Sequence, residues 1–334
     1  MTRAFICGCA GTELSDDERA FLREARPWGL ILFKRNVADR EQLRALTNAF
    51  RATLGRDDAP VLVDQEGGRV QRMGPPHWPA YPAAARFDPE IGGERALAAA
   101  RLVARLMAHD LREVGITVDC APVLDVADAE THAVIGTRSY SRVPERVAAF
   151  GRAVIEGLLE GGVAPVAKHA PGHGRARVDS HFELPVVAAS RTELAARDFA
   201  PFRALRDAPM AITAHVVYGA LDPDRPATTS PEVVQTIVRE AIGFDGLLMT
   251  DDLSMKALGG PLGDRARAAF AAGVDIALHC NGDLAEAREV AEASPELEGA
   301  ARLRAEAALR RIAGVSAPFD VAAGRAALAG YGLA

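Results

Sequence analysis

Short apolar segments recur along the chain, and each is followed by a polar turn and a longer segment with helical spacing of its apolar residues. The short segments are rich in Leu or β-branched residues and do not alternate with polar ones. That pattern is typical of strands buried on both faces. Eight segments are therefore predicted to be strands: Ala4–Cys7, Gly29–Phe33, Pro60–Asp64, Thr117–Pro122, Pro165–His169, Met210–His215, Leu247–Asp251 and Asp275–His279.

The segments between these strands have the 3.6-residue apolar period of amphipathic helices. Ser15 and Glu18 have the spacing of a capping box, which opens the first helix. Gly115, Gly161 and Gly273 stand where glycine commonly ends a helix. The other predicted helices are Arg40–Leu54, Glu94–Val114, Pro144–Glu160, Arg191–Leu205, Pro231–Ala241, Asp264–Ala272 and Leu284–Ala293.

Eight strands that alternate with helices predict an α/β fold, a single-domain (β/α)₈ TIM barrel that spans residues 1–334. An open doubly wound sheet is the main alternative, but no G-x-G-x-x-G sequence follows the first strand. We expect the segment from about 318 to 334 to form a peripheral helix that covers the barrel.

Composition narrows the class of protein. The net charge is −6 without a basic cluster, so nucleic acid is not expected as a partner. No window approaches the roughly 18 apolar residues of a membrane span, and the first residues do not have the pattern of a signal peptide. We expect a cytoplasmic monomer with reduced thiols, because no zinc spacing relates the four cysteines: Cys7, Cys9, Cys120 and Cys280.

Polar residues collect at the C-terminal ends of the predicted strands, where a TIM barrel places its chemistry. Asp251 ends an apolar strand, so its carboxylate is expected to face the barrel mouth and could attack an electrophile. The alternative is that Asp251 caps the next helix. Because Asp252 follows directly, one of the two residues could be catalytic and the other structural.

Asp179 and His181 lie in a Gly-rich loop after the fifth strand. Residues two apart on an extended segment share a face, so the carboxylate can contact the imidazole. Such a pair fixes the ring and raises its proton affinity, which suits a general acid/base near neutral pH. A purely structural pair is the alternative.

Lys168 is one of only three lysines among 39 basic residues. This indicates a slot too narrow for a guanidinium, or a point charge aimed at one hydroxyl. The alternative is an ion pair inside the barrel, with Asp64 or Asp119. Asp64, which only accepts hydrogen bonds when ionised, is well placed to bind two hydroxyls. Arg138 lies in a loop after the fourth strand, where it either reaches the mouth or is a surface charge.

Together these segments resemble the family 3 glycoside hydrolases, and within them the short bacterial β-N-acetylhexosaminidases of peptidoglycan recycling. The most specific part is Lys168-His-Ala-Pro-Gly-His-Gly174, followed by Asp179-Ser-His181 and Thr250-Asp-Asp-Leu-Ser-Met255. Segments 29–36, 64–72 and 135–139 also match. The matching segments run in family order from about residue 5 to residue 282.

The resemblance implies a retaining exo-β-N-acetylglucosaminidase that acts on N-acetylglucosaminyl-β-1,4-anhydro-N-acetylmuramyl peptides through a covalent glycosyl-enzyme. It implies no cofactor and no metal. Asp251 would be the nucleophile, and His181, assisted by Asp179, would be the acid/base. The implied sugar-binding residues are Asp64, Arg72, Arg138, Lys168 and His169.

Two features depart from the family pattern. Ala170 stands where an aromatic residue is usual, and Arg175 and Arg177 make the loop more basic. Both could alter loop closure. We expect the loop that carries Gly172 and Gly174 to swing, and to place the acid/base histidine only after the substrate binds.

Three other functions stay open. A phosphorylase would use phosphate, attracted by Arg175 and Arg177, in place of water. A sugar-binding barrel without activity is opposed by the intact Asp251 and His181. A metal-dependent hydrolase would need carboxylate and imidazole ligands at the mouth, taken from His169, His173, His181, Asp179 and Asp251.

Overall fold

The computed structural model describes residues 1–90, 92–315 and 318–333, and its centre is a closed barrel of eight parallel strands. Each strand pairs with its neighbours in the sequence, and the first pairs with the last. All eight strand predictions are confirmed. The strands are β1 (Arg3–Cys7), β2 (Pro27–Leu32), β3 (Val61–Val63), β4 (Val118–Asp119), β5 (Ala164–Ala170), β6 (Met210–Thr213), β7 (Leu247–Asp252) and β8 (Ile276–His279).

Helices pack around the outside of the barrel. The α-helices are α1 (Asp16–Ala25), α2 (Arg40–Leu54), α3 (Phe87–Glu90), α4 (Gly93–Glu113), α5 (Pro144–Glu160), α6 (Arg191–Ala196), α7 (Ala200–Ala204), α8 (Leu262–Ala272), α9 (Leu284–Ala293), α10 (Gly299–Arg310) and α11 (Val321–Gly330). A π-helical segment covers Glu232–Ala241, and short 3₁₀ turns cover Lys34–Asn36, Ala84–Arg86, Gly136–Arg138 and Ala227–Thr229. The barrel and its ring of helices confirm the predicted α/β TIM-barrel class.

The strand sequences are continuous runs of apolar residues because both faces of each strand are buried. In β3, Leu62 joins the cluster inside the barrel, whereas Val61 and Val63 join the cluster between strands and helices. In β1, Ile6 points to the inner cluster, and the ring of Phe5 lies 6.3 Å from the ring of Phe21 on α1. Successive side chains of a strand point to opposite faces, so each strand contributes to both layers of the core.

The helix ends follow local sequence signals with one exception. The capping box of α1 forms as predicted. Gly273, with φ of 104°, caps α8, and Gly115, with φ of 78°, takes the left-handed conformation just after α4. Gly161 ends α5 in a right-handed conformation instead, and the left-handed residue is Gly162.

One helix prediction is wrong. The segment predicted as a single helix over 191–205 forms α6 and α7 with a break between them. Pro201 lies in the first turn of α7 and has no N–H to continue a helix that began earlier. The break also buries Asp198, whose carboxylate accepts a 2.7 Å hydrogen bond from Arg175. Pro201 thus interrupts the helical period, and Arg175 binds the aspartate at the break.

The C-terminal helix α11 packs against α4, with Leu328 buried in the outer core cluster. Arg325 on α11 reaches Asp110 on α4 at 2.9 Å. The expected peripheral helix therefore covers Val321–Gly330, whereas residue 334 lies outside the described residues. In the part of the chain that the structure describes, no helix is long and apolar enough to cross a membrane.

The contact between α4 and α5 requires glycine at position 157. An added methyl group there would overlap the carbonyl oxygen of Arg101 and lie 2.9 Å from the Cβ of Ala104. Gly157→Ala is expected to lower the free energy of unfolding by about 1–3 kcal/mol, because overpacking displaces the backbone. In α11, Gly330→Ala meets nothing within 4 Å, so urea denaturation should show unchanged or slightly higher stability. Equal stability of the two variants would contradict this packing argument.

Candidate active site

The C-terminal ends of the barrel strands and the loops that follow them enclose a cavity of about 240 Å³. This volume suits a small, compact ligand rather than an extended one. Asp179 does not line the cavity itself, but it accepts a hydrogen bond from His181, which does. The other residues predicted for the site all line the cavity: Asp64, Arg72, Arg138, Lys168, His169, His181 and Asp251.

Asp64 lies between two cations. Its Oδ1 is 2.7 Å from Lys168 Nζ, and its Oδ2 accepts a 2.8 Å hydrogen bond from Arg72. Burial alone would raise the pKa of Asp64, but the two cations hold it well below its usual value. The ion pair foreseen as the alternative role of Lys168 therefore exists, and its partner is Asp64 rather than Asp119.

A short hairpin returns Arg72 to Asp64. Gln65–Gly67 pairs antiparallel with Val70–Gln71, and Gly67 and Gly68 form the turn with φ of 91° and 58°. Gly67 and Gly68 therefore form the tight turn that their sequence favours.

Glu66 is a residue that the sequence analysis missed. Both of its oxygens accept hydrogen bonds from Arg138 at 2.8 Å, and Oε1 lies 2.7 Å from Lys168 Nζ. Burial raises the pKa of Glu66, but Arg138 and Lys168 outweigh burial and lower it to about 2. Arg138 is thereby held at the mouth, where its side chain is 10% exposed, so the surface-charge alternative is wrong. The spacing of Asp64 and Glu66, two apart, could have indicated a shared face.

His169 is oriented by a buried carboxylate that no sequence pattern indicated. Asp125 Oδ2 accepts a 2.7 Å hydrogen bond from His169 Nδ1, and Oδ1 accepts from the backbone amides of His169 and His173. Burial raises the pKa of Asp125, and His169 and His173 lower it below its usual value. The second ring nitrogen of His169 lies 3.4 Å from Arg138 at the cavity.

The predicted pair of Asp179 and His181 is present. His181 donates from Nδ1 and from its backbone N–H to Asp179 Oδ1, at 2.7 and 2.9 Å. Burial raises the pKa of Asp179, but the amide and imidazole of His181 bring it below its usual value. The imidazole is 58% exposed, so Nε2 can approach a ligand in the cavity.

Ser180, between these two residues, anchors the loop from the inside. Its Oγ lies 3.1 Å from His173 Nε2, and both residues are buried. Burial lowers the pKa of His173 to about 4, so this histidine is neutral at neutral pH. The carbonyls of Ser180 and His181 also accept hydrogen bonds from the amides of Ala257 and Lys256, at 3.3 Å.

The glycines of this loop allow close packing at its base. A methyl group on Gly174 would overlap the carbonyl oxygen of Val126, and one on Gly172 would lie 3.0 Å from Asp198. Phe182, which follows His181, is the most exposed large hydrophobic residue of the loop. Movement of the loop that carries Gly172 and Gly174 remains a prediction.

Asp251 differs from the other carboxylates of the mouth. Its Oδ1 accepts a 2.8 Å hydrogen bond from the amide of Asp252, whereas Oδ2 has no hydrogen-bond partner among the described residues. Burial raises the pKa of Asp251, but His169, His215 and that amide lower it below its usual value. The cavity therefore contains an ionised carboxylate with one oxygen free.

Neither of the two adjacent aspartates caps a helix. The next helix, α8, begins at Leu262, and its N-cap residue is Pro261. Asp252 instead accepts hydrogen bonds from Ser254 Oγ at 2.6 Å, Ser254 N at 3.0 Å and Cys280 N at 3.1 Å. Asp252 thus fixes the end of β7, which leaves Asp251 without a structural role of this kind.

The two arginines expected to attract phosphate have ion-pair partners, and the ligand-type side chains that lie close together are not those expected to bind a metal. Arg175 binds Asp198 at 2.7 Å, and Arg177 binds Asp128 at 2.8 Å, so both guanidinium groups are already paired. Over the described ranges, the ligand-type side chains that gather closely enough to hold a metal are on α4 and include none of the expected set: His109, Asp110 and Glu113.

Comparison with known proteins places the chain in a family. A profile described as the glycosyl hydrolase family 3 N-terminal domain matches residues 7–315. The chain belongs to glycosyl hydrolase family 3. It is thus a glycoside hydrolase, and its relatives place it in the β-hexosaminidase class.

Two relatives and one neighbouring structure illustrate the similarity. A beta-hexosaminidase from Methylococcus capsulatus is 44% identical over 294 residues, 85% of this chain and 86% of the relative. A beta-hexosaminidase from Alkalilimnicola ehrlichii is 43% identical over 283 residues, which cover 83% of this chain and 80% of the relative. The structure of NagZ from Neisseria gonorrhoeae in complex with N-trifluoroacetyl-D-glucosamine has a TM-score of 0.86 and 34% identity, and the match covers 99% of this chain and 98% of that one.

The ionised Glu66 makes stability depend on pH. Its pKa is about 2 in the folded protein, against 4.5 for an unperturbed glutamate. Its contribution is present above pH 4.5 and is lost as the pH falls toward 2, because the unfolded chain binds the proton first. Glu66→Gln should therefore be less stable than the wild type at pH 7, and the difference should shrink below pH 4.5. Urea denaturation from pH 7 to 3 measures this, and a constant difference would contradict it.

We expect the hydrogen bond between Ser180 and His173 to position the loop that carries Asp179 and His181. Ser180→Ala should lower kcat about 3- to 10-fold on an aryl β-hexosaminide, with a smaller change in KM, since a net hydrogen bond is worth roughly 0.5–1.5 kcal/mol. Ser180→Thr retains the hydroxyl and should recover most of the rate. Equal losses in the two variants would indicate that the hydroxyl does not position the loop.

Proposed function

We propose that the protein is a retaining exo-β-N-acetylglucosaminidase that releases terminal β-1,4-linked N-acetylglucosamine from peptidoglycan fragments. The free oxygen of Asp251 carries the proposal, because a covalent glycosidase needs an ionised, unpaired carboxylate in its cavity. His181, with Asp179, supplies the group that acts as acid in the first step of the reaction and as base in the second.

The proposed reaction has two steps. Asp251 Oδ2 attacks the anomeric carbon while His181 protonates the leaving oxygen, which gives a glycosyl-enzyme. His181 then takes a proton from water, and the water displaces Asp251 to release the sugar with its β configuration retained. The carboxylate of Asp179 stabilises the imidazolium that donates its proton in the first step and forms again in the second.

The charged residues of the mouth suit recognition of a sugar. Each oxygen of Asp64 can accept from a hydroxyl in addition to its cation. Arg72 lines the cavity and binds Asp64 through Nη2, so its other terminal nitrogen can donate to a ligand. In this proposal, Lys168, Arg138 and His169 supply the remaining donors to the sugar hydroxyls and acetamido group.

The identity of the substrate is supported by similarity. The Neisseria structure was solved with N-trifluoroacetyl-D-glucosamine, an N-acylated glucosamine, which supports N-acetylglucosamine as the sugar cleaved here. A muropeptide as the natural substrate rests on the sequence resemblance. We also propose a monomer in the cytoplasm, where four buried, unbridged cysteines are stable in their reduced form.

Two variants and two substrates test the proposal. Asp251→Ala should lose about 10³-fold or more of kcat on both 4-nitrophenyl N-acetyl-β-glucosaminide and N,N′-diacetylchitobiose, because it removes the covalent step. His181→Ala should lose most on chitobiose, whose leaving group needs a proton, and least on the nitrophenyl substrate.

The controls concern folding and phosphate. Both variants should unfold thermally near the wild-type temperature, and the wild type should release free sugar rather than sugar 1-phosphate in phosphate buffer. Near-normal turnover by Asp251→Ala, or an equal loss on both substrates for His181→Ala, would refute the assigned roles.

A further inference from the structure

The loop residue after the proposed acid/base is an exposed aromatic. Phe182 follows His181 directly and is 70% exposed, the highest value among the internal large hydrophobic residues that are described. An exposed phenyl ring gains nothing for folding from its apolar surface. A position beside the cavity mouth gives the ring a surface to offer to a ligand.

A free cation lies beside this ring. Lys256 Nζ is 5.9 Å from the ring centroid of Phe182, within the range of a cation–π contact. Throughout the described ranges, Lys256 Nζ makes no ion pair and no hydrogen bond, unlike Lys168, which binds two carboxylates. It is also one of three lysines in a chain that otherwise uses arginine.

The two residues are held together by the backbone. The amide of Lys256 donates to the carbonyl of His181, and the amide of Ala257 donates to the carbonyl of Ser180, each at 3.3 Å. His181 and Met255 line the cavity, and Phe182 and Lys256 are the next residues along their segments. The ring and the ammonium group therefore lie together, each one residue along the chain from a side chain that lines the cavity.

This position is on the leaving-group side. In the function proposed above, His181 must contact the oxygen that joins the cleaved sugar to its leaving group. A group that continues outward from that oxygen passes the next residue of the same loop. Asp64 and Lys168, by contrast, lie on or directly after the barrel strands β3 and β5 and pair with each other at 2.7 Å.

We propose that Phe182 and Lys256 bind the leaving group and select for one that carries a carboxylate. The phenyl face packs against the apolar face of the leaving sugar ring, and Lys256 Nζ pairs with the carboxylate. The inference rests on the proposed function and deepens it, because it assigns the preference for an acidic leaving group to two named residues.

The test compares N-acetylglucosaminyl-β-1,4-N-acetylmuramic acid, which carries a carboxylate, with its uncharged methyl ester. The wild type should have a kcat/KM about 2- to 5-fold higher for the acid, the size expected for an exposed ion pair. Lys256→Gln should bring the ratio to about one. The preference of the wild type should also weaken at 1 M salt. Phe182→Ala should lower kcat/KM for both substrates and keep the ratio.

Glu183→Gln is the matched control, because it removes a charge of opposite sign from the same loop. It should keep or increase the preference for the acid. N-acetylglucosaminyl fluoride has a single atom as its leaving group, so its cleavage by the wild type tests the proposed reaction without the leaving-group site. If the wild type cleaves neither the fluoride nor the disaccharides, the proposed function fails. If it cleaves the fluoride but shows equal rates for acid and ester, or if Lys256→Gln keeps the preference, only the leaving-group site is refuted.

Discussion

The compensation of buried charge determines the arrangement of this barrel mouth. Asp64 and Glu66 are stable as carboxylates in the barrel because Lys168 and Arg138 lie within 2.8 Å of them. An uncompensated charge at that depth would be neutralised or would disrupt the fold. The pairs hold the cations where a ligand can reach them, and they leave Asp251 as a cavity-lining carboxylate with an oxygen available for chemistry.

Interactions that are local in sequence could be predicted, and those that join distant segments could not. The strands were predictable because burial on both faces gives continuous apolar runs, and the pair of Asp179 and His181 because the residues are two apart. Glu66 and Arg138 are 72 residues apart, and Asp125 and His169 are 44 apart. Only barrel closure brings these partners together, so no local pattern could indicate them.

Tertiary partners also decide between the alternative roles of two residues, Asp251 and Arg138. The sequence left open whether Asp251 caps a helix, and it also left open whether Arg138 is a surface charge. In both cases the answer depends on which residues the side chain contacts in the folded protein. The break between α6 and α7 has a local cause in Pro201, but the hydrogen bond that Arg175 donates to Asp198 at the break joins two separate segments. The specificity of the site thus depends on tertiary partners, whereas the barrel itself follows from the apolar pattern.

In the proposed reaction Asp251 forms a covalent bond to the sugar, and trapping this intermediate tests that role directly. A ring-fluorinated N-acetylglucosaminide with a good leaving group should form the glycosyl-enzyme faster than water can remove it. Tandem mass spectrometry of the digested protein should find the sugar mass on Asp251. The label on Asp252 or on another residue, or steady turnover without any label, would contradict the account.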